Sequence, residues 1–283
     1  MAIRTVGVIG AGTIGRGVAQ DFAQAGYDVV LVDTSKQQLD EALEQIGSDL
    51  LLHGLLRTEP LKDDIDTVLG RIATSSDLGD LGEADFVVEN VTENWDIKRE
   101  VYERIDSVCR PGVIFGVNTS AVPITRAASV TSRQADVIGI HFMNPVPLMD
   151  VVEVVEGHYT SSDTVERSLE VLRTLGKEGI VVKDSPGFVT NRVLMLTINE
   201  AIFCVQDQVA TVEQVDRMFT GCFGHKMGPL ETGDLIGLDT ILNSITVMYE
   251  SFRDSKYRPA PLLVKMVEAR LLGRKTGRGF YTY

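Results

Sequence analysis

The feature that most restricts what this chain can fold into is a glycine-spaced turn near its start. Arg4 to Ile9 (RTVGVI) reads as a short buried strand, and Gly10, Gly12 and Gly15 follow at once as G-A-G-T-I-G. The first glycine permits a tight turn, the second lets backbone amides approach a pyrophosphate, and the third allows the next helix to pack closely. That helix, expected over Arg16 to Ala25, presents the positive end of its dipole to the phosphates. Glycine-rich turns are common, so the setting matters more than the motif. A second strand, Tyr27 to Val32, ends in Asp33, about 20 residues beyond the turn, where a dinucleotide fold places its ribose acceptor. A carboxylate there accepts from both ribose hydroxyls and repels a 2′-phosphate. Lys36 lies nearby, but no arginine directly follows Asp33. The chain is therefore expected to bind NAD rather than NADP, through Gly10, Gly12, Thr13, Ile14, Gly15 and Asp33.

Between Ser35 and Gly70 the chain departs from a minimal βαβ unit, with helical patterns over Lys36 to Leu56 and Lys62 to Leu69 broken at Thr58-Glu59-Pro60. An excursion of this length is too long for a linker inside a compact domain. Two readings stand: it reaches over the ligand cleft, or it forms a helical hairpin packed on the sheet edge. Strands are expected at Arg71 to Thr74, Ala84 to Asn90 and Val113 to Val117. The carboxyl ends of strands are where a doubly wound sheet collects its ligands. Glu93 and Lys98, and then Asn118, Thr119 and Ser120, follow two of those ends. Glu93 and Lys98 suit contacts to the nicotinamide-side ribose, and they equally suit ordinary helix-start charges. The three small polar residues suit a ligand or a capped turn.

Residues Gly139 to Glu153 (GIHFMNPVPLMDVVE) place His141 at the end of a β-branched run, before a turn stiffened by Asn144, Pro145 and Pro147. A neutral imidazole held still at such a place can accept a proton near pH 7. A histidine at a strand end can also be purely structural.

The charge balance narrows the partners. Twenty-seven Lys and Arg against 40 Asp and Glu give a net charge of -13, which argues against nucleic acid and against an anionic membrane surface. Any anionic ligand must be met by local features. Cys109, Cys204 and Cys222 are odd in number and far apart, so neither a disulfide framework nor a zinc site is expected, and buried thiols in a reducing compartment are. His53, His158 and His225 have no metal spacing, so no metal is expected. No run approaches a membrane span and the chain enters a strand at once, which predicts a cytoplasmic protein.

Together, GAGTIG, Asp33, NTSA at 118–121 and HFMNPVP at 141–147 closely resemble the L-3-hydroxyacyl-CoA dehydrogenases, which include the 3-hydroxybutyryl-CoA dehydrogenases. The resemblance runs on through DSPGFVTNR at 184–192 and MGPLETGDLIGLD at 227–239 to LGRKTGRGFYTY at 272–283, with spacing intact. It implies NAD-dependent, reversible oxidation of a short-chain 3-hydroxyacyl thioester. His141 would be the base and Glu153 its partner on the other ring nitrogen. Ser120, Asn191 and Asn144 would serve the substrate, and Glu93, Lys98 and Asn118 the cofactor. The implied architecture is a Rossmann-type doubly wound α/β domain over 1–184, with its helical excursion at 36–70. An all-helical substrate and dimerisation domain over 185–283 would follow, giving a homodimer.

Further strands are expected at Val151 to Val155 and Ile180 to Val182, with a helix over Ser162 to Leu175 between them. In the second domain Ser185 can cap a helix with Pro186 in its first position, placing Asn191 within two turns of the start. That helix is apolar on more than one face, which suits either a two-subunit core or a central helix in one subunit. A helix is also expected from about Asp239 to Arg253. The terminal Arg274, Lys275 and Arg278 read as a solvated turn before a docked aromatic end.

The chain departs from the family's usual pattern at Ala121, Met143 and Asp150, and in the lysine-poor stretch from His53 to Lys62. These departures leave the redox centre whole and bear on the acyl carrier. Residues 89–102 and 238–247 look closer to polyketide-pathway members that act on glyceryl-type groups held by an acyl carrier protein. Three substrate classes thus stand at this stage: an acyl-CoA, an acyl-carrier-protein thioester, or, for a non-catalytic nucleotide-binding protein, none.

Overall fold

The computed structural model describes residues 3–56, 62–120 and 122–283, and side chains throughout these except at 53–56. The Thr58-Glu59-Pro60 break and Ala121 lie outside the described residues. The chain divides into two compact units, Met1–Asp184 and Ser185–Tyr283.

In the first unit, β1 (Thr5–Ile9), α1 (Thr13–Gln24) and β2 (Asp28–Val32) make the opening βαβ. The excursion follows as α2 (Lys36–Leu56) and α3 (Ile65–Gly70), and then β3 (Ile72–Ser75) returns to the sheet. The second half runs β4 (Phe86–Glu89), α4 (Trp95–Val108), β5 (Ile114–Val117), α5 (Ile124–Ser129) and β6 (Val137–His141). It closes with β7 (Val151–Glu156), α6 (Ser162–Thr174) and β8 (Glu178–Lys183). Among the described residues the eight strands form one sheet in the order β3-β2-β1-β4-β5-β6-β7-β8. All neighbours are parallel except β6 and β7. Central strands of such a sheet are covered on both faces, which is why β4, β5 and β6 are apolar up to the Glu89 and His141 that close two of them, and are buried throughout. Helix α2 packs by one stripe, Leu39, Ala42, Ile46 and Leu50, into the core that holds β1 and β2, leaving Leu51 and Leu52 exposed.

The expected α/β domain followed by helices is the architecture observed. Two details differ from the sequence reading. Helix α1 begins directly behind Gly12 rather than at Arg16, so its first turn includes Thr13 and Ile14. Helix α3 begins at Ile65 rather than Lys62, because the Asp64 carboxylate accepts from Thr67 N and caps it there.

The second unit consists of α7 (Thr190–Gln206), α8 (Val212–Cys222), α9 (Pro229–Ile236), α10 (Leu238–Phe252) and α11 (Pro261–Glu268). Helix α7 does not start at Pro186. Gly187 (φ 77°) and Phe188 (φ 47°) both lie in left-handed backbone, which a right-handed helix cannot include, so the helix opens at Thr190 with Asn191 as its second residue. Met195, Ile198, Ala201 and Ile202 pack inward on Leu230, Ile241, Ile245 and Leu263, while Val193 is 61% exposed. Within one chain, then, α7 is one-sided rather than central. The cysteines also differ from expectation: Cys109 is buried and its thiol is pushed up to about 11 by burial, but Cys222 is exposed.

Two acidic side chains dock the C-terminal aromatic segment. Asp234, fully buried, accepts from the backbone N–H groups of Phe280 and Tyr281 and from the Tyr283 hydroxyl. Asp216 accepts from Leu230 N, Glu231 N and the Tyr281 hydroxyl, so it caps α9 and holds the tail at once. Replacing Asp234 with Ala leaves at least two inward N–H groups without an acceptor, at about 1–3 kcal/mol each when such a group is buried. Denaturant unfolding of Asp234→Ala is expected to show a loss of that order; an unchanged midpoint would show the tail to be held by other contacts.

Candidate active site

The site is assembled at the carboxyl ends of the central strands of the first unit, and its floor is a pairing of two strands. β7 runs antiparallel to β6, with Gly139 opposite Val155, Ile140 opposite Val154 and His141 opposite Glu153. Opposite residues of an antiparallel pair project to the same face. The His141 Nδ1 therefore lies 2.9 Å from Glu153 Oε2, with each residue 5% exposed. A carboxylate only accepts, so Nδ1 carries a proton toward Glu153, and in the neutral ring Nε2 keeps its lone pair. The Ser120 hydroxyl sits 2.9 Å from that Nε2, placed to donate to it when the ring is neutral. The arrangement can present the imidazole as a base, with a carboxylate behind it to stabilise the charged form.

The loop that carries Ser120 is held from β4 and α4. Glu93 accepts from Thr119 Oγ1 and from Ser120 N, both at 2.8 Å, so its carboxylate shapes the loop at the point where the serine leaves it. Asn118 accepts from Phe142 N at 3.1 Å and donates to Asn90 Oδ1 at 2.8 Å, tying the residue after His141 to the end of β4. Lys98 is fully buried. Its ammonium donates to both Glu89 oxygens, at 2.9 and 3.0 Å, and to the Asn118 carbonyl at 3.3 Å. Tyr102, one turn further along α4, donates to Glu89 at 2.7 Å, and Val91 N does so at 2.6 Å. Burial raises the Glu89 carboxyl against the opposing pull of Lys98, and raises the Tyr102 phenol well above its ordinary range. Lys98 therefore supports the Asn118 backbone from beneath the site surface.

The dinucleotide turn is formed as its glycines require. Gly10 has φ 90°, and a Cβ there would stand 2.8 Å from the Asn90 carbonyl oxygen. A Cβ on Gly15 would collide with the Gly10 carbonyl oxygen. Gly12, at the mouth of α1, has nothing within 4 Å of where a Cβ would be, the first turn has no acidic residue, and no side chain caps it. Open space in front of uncapped helix N–H groups fits a dinucleotide pyrophosphate. Asp33 accepts from Ala11 N at 2.8 Å and Ser35 N at 2.9 Å, which fixes its carboxylate beside the turn.

The structure brings together His141, Glu153, Ser120, Glu93, Asn118 and Lys98. Asn144 lies in the loop after β6, whose Asn144–Pro145 peptide is cis, and Asn191 lies in the first turn of α7. Glu89, Asn90 and Tyr102 are additions that sequence reasoning missed. The available signal was a carboxylate closing an apolar strand, with Lys98 and Tyr102 spaced four apart on the following helix to meet it.

Comparison with known proteins gives a consistent result. Residues 5–185 match the family profile described as "3-hydroxyacyl-CoA dehydrogenase, NAD binding domain", and residues 187–283 match "3-hydroxyacyl-CoA dehydrogenase, C-terminal domain". The chain is 46% identical over 278 residues to a probable 3-hydroxybutyryl-CoA dehydrogenase of Deinococcus radiodurans, covering 98% of this chain and 99% of that one. It is 45% identical over 283 residues to a 3-hydroxybutyryl-CoA dehydrogenase of Bradyrhizobium diazoefficiens, covering 99% and 96%. The crystal structure of an (S)-3-hydroxybutyryl-CoA dehydrogenase of Ralstonia eutropha superposes with a TM-score of 0.96 at 43% identity, covering 100% and 99%.

The Asp33 geometry makes a binding prediction. Asp33→Ala removes a charged acceptor worth about 1.5–3 kcal/mol in its hydrogen bonds and the repulsion of a 2′-phosphate. Titration of NADH fluorescence is expected to show binding weakened roughly 10- to 100-fold, with NADPH weakened far less. Equal losses for both cofactors would remove Asp33 from the ribose site.

Proposed function

The chain belongs to the 3-hydroxyacyl-CoA dehydrogenase family of NAD-dependent oxidoreductases, and from that premise we propose that it interconverts 3-hydroxybutyryl-CoA and acetoacetyl-CoA. The observation that carries this reading is the Ser120–His141–Glu153 chain of hydrogen bonds, with Nε2 directed at a serine hydroxyl. NAD, when bound, supplies the acceptor for the hydride that leaves C3. His141 Nε2 takes the proton of the C3 hydroxyl, so the alcohol becomes a ketone with loss of one hydride and one proton. Glu153 holds the ring and stabilises the imidazolium formed. Ser120 and Asn191 are assigned to the substrate's reacting oxygens, and Asn144 to the substrate as well. In the reverse direction the imidazolium returns the proton as the ketone is reduced.

On the cofactor side we assign Gly10, Gly12, Thr13, Ile14 and Gly15 to the pyrophosphate and Asp33 to the adenosine ribose. Glu93, Lys98 and Asn118 serve the nicotinamide end. Lys98 does so through the Asn118 carbonyl to which it donates. The relatives are named for coenzyme A esters, which supports coenzyme A over a carrier protein as the acyl carrier. The same names, with the intact His141–Glu153 pair, speak against a non-catalytic role.

We place the enzyme in the cytoplasm, supported by three cysteines with no disulfide among them. Among the described residues no helix is long and apolar enough to cross a membrane. We also read it as a homodimer formed through the helical unit. Val193 near the start of α7, Val209 just past its end, Met218 within α8 and Phe223 just past it are each more than half exposed, apolar side chains that a second copy would cover.

His141→Gln should retain the fold and lose about 10²- to 10⁴-fold in kcat, read as NADH absorbance with acetoacetyl-CoA. Near-normal turnover in that variant would remove His141 as the base. Light scattering is expected to return twice the chain mass of 31.0 kDa for the wild type and a shift toward that single mass for Val193→Glu. A wild type already at the single mass would exclude the dimer.

A further inference from the structure

One buried ion pair of the first unit has no part in the proton path. Lys177, the residue that leads into β8, is 6% exposed. Its ammonium donates to the carbonyl oxygens of Val146 and Met149, both at 2.8 Å, and lies 2.9 Å from Asp21 Oδ2. Two carbonyl oxygens take its hydrogen bonds, and the Asp21 carboxylate pairs with its charge. The segments they come from are far apart in sequence. Val146 and Met149 lie in the loop of residues 142–150, which leaves His141, carries Asn144, and returns into the strand that bears Glu153. Asp21 is on α1, eight residues after Thr13, where that helix opens behind the dinucleotide turn. The helix already rests on the same loop: a Cβ on Gly17 would stand 2.9 Å from Val146 Cβ and 3.4 Å from Pro147 Cδ.

Stability does not account for such a pair. Desolvating a lysine and an aspartate is at best about neutral against apolar residues of the same size. The pair instead joins the loop behind the base to the helix that carries the cofactor turn. We propose that Lys177 is a positioning residue that locks the 142–150 loop to α1 and thereby holds His141 in register with the cofactor. This rests on the proposed role of His141. Misplacing reacting groups by about 1 Å can cost roughly 10²-fold in rate.

The test uses Asp21→Leu/Lys177→Met, which removes both charges and leaves neither buried alone. NADH affinity is expected to stay close to wild type, while thermal unfolding shifts down because the Val146 and Met149 carbonyl groups lose their donor. The expected changes are a kcat lower by roughly 10- to 100-fold, little change in KM for acetoacetyl-CoA, and a larger primary deuterium isotope effect from 4-deuterated NADH. Hydrogen exchange of the amides in residues 142–150 is expected to speed up, whatever the substrate. Wild-type exchange in that loop overturns the proposal, as does wild-type kcat and isotope effect in the double variant. A silent wild type, or near-normal turnover in His141→Gln, would instead discard the functional reading, while the exchange measurement still decides the clamp. If the double variant does not fold, Asp21→Asn/Lys177→Gln, which keeps two N–H donors on a shorter arm, gives the same comparison. Wild-type kcat together with wild-type exchange in that variant also overturns the clamp.

Discussion

The site depends on one backbone pairing. Because β7 runs against β6, the residue opposite His141 is Glu153, and their side chains share a face. A slip of one residue in that pairing would send the carboxylate to the other side of the sheet. The antiparallel turn in an otherwise parallel half-sheet is therefore what makes an imidazole–carboxylate pair out of residues twelve apart. The eleven residues between them must close without disturbing the register, which explains a proline-stiffened loop and a lysine that fastens two of its carbonyl groups.

The polar groups around that pairing form a supporting shell with few loose ends. Glu93 shapes the backbone that delivers Ser120, Asn118 holds the amide next to His141, and Lys98 holds Asn118. Beneath them, Glu89 accepts from Lys98, Tyr102 and Val91. A carboxylate and an ammonium this deeply buried would each be costly alone, and together they are tolerable because every donor is answered. The consequence is stiffness where a proton transfer needs fixed distances.

Much of this was legible in the residues, and the limits have physical causes. The strands were readable as apolar β-branched runs, and GAGTIG with Asp33 identified the ligand end of the sheet. The start of α7 was not readable. Asp-Ser-Pro-Gly carries a good capping pattern, but the left-handed backbone at Gly187 and Phe188 delays the helix to Thr190. Lys98 reads in the sequence either as a contact to the nicotinamide-side ribose or as an ordinary helix-start charge, and it is fully buried. Nine residues separate it from Glu89, and only the packing of α4 on β4 brings them together inside the protein. Asp21 and Lys177, 156 residues apart, offered no local signal at all, since each reads as an ordinary surface charge until the sheet closes.

By itself, then, the sequence determined the local chemistry. It set a turn that only glycine can form, a carboxylate fixed beside that turn, an alternating order of strands and helices, and a histidine and a glutamate at strand positions. These follow from the steric and polar properties of residues and their near neighbours. Tertiary structure decided what those groups became. It chose the strand direction that turned His141 toward Glu153, buried Lys98 instead of exposing it, and left one face of α7 bare. It also joined Asp21 and Lys177 around the catalytic loop. Each of these depends on distances between segments far apart in the chain, which no local pattern records.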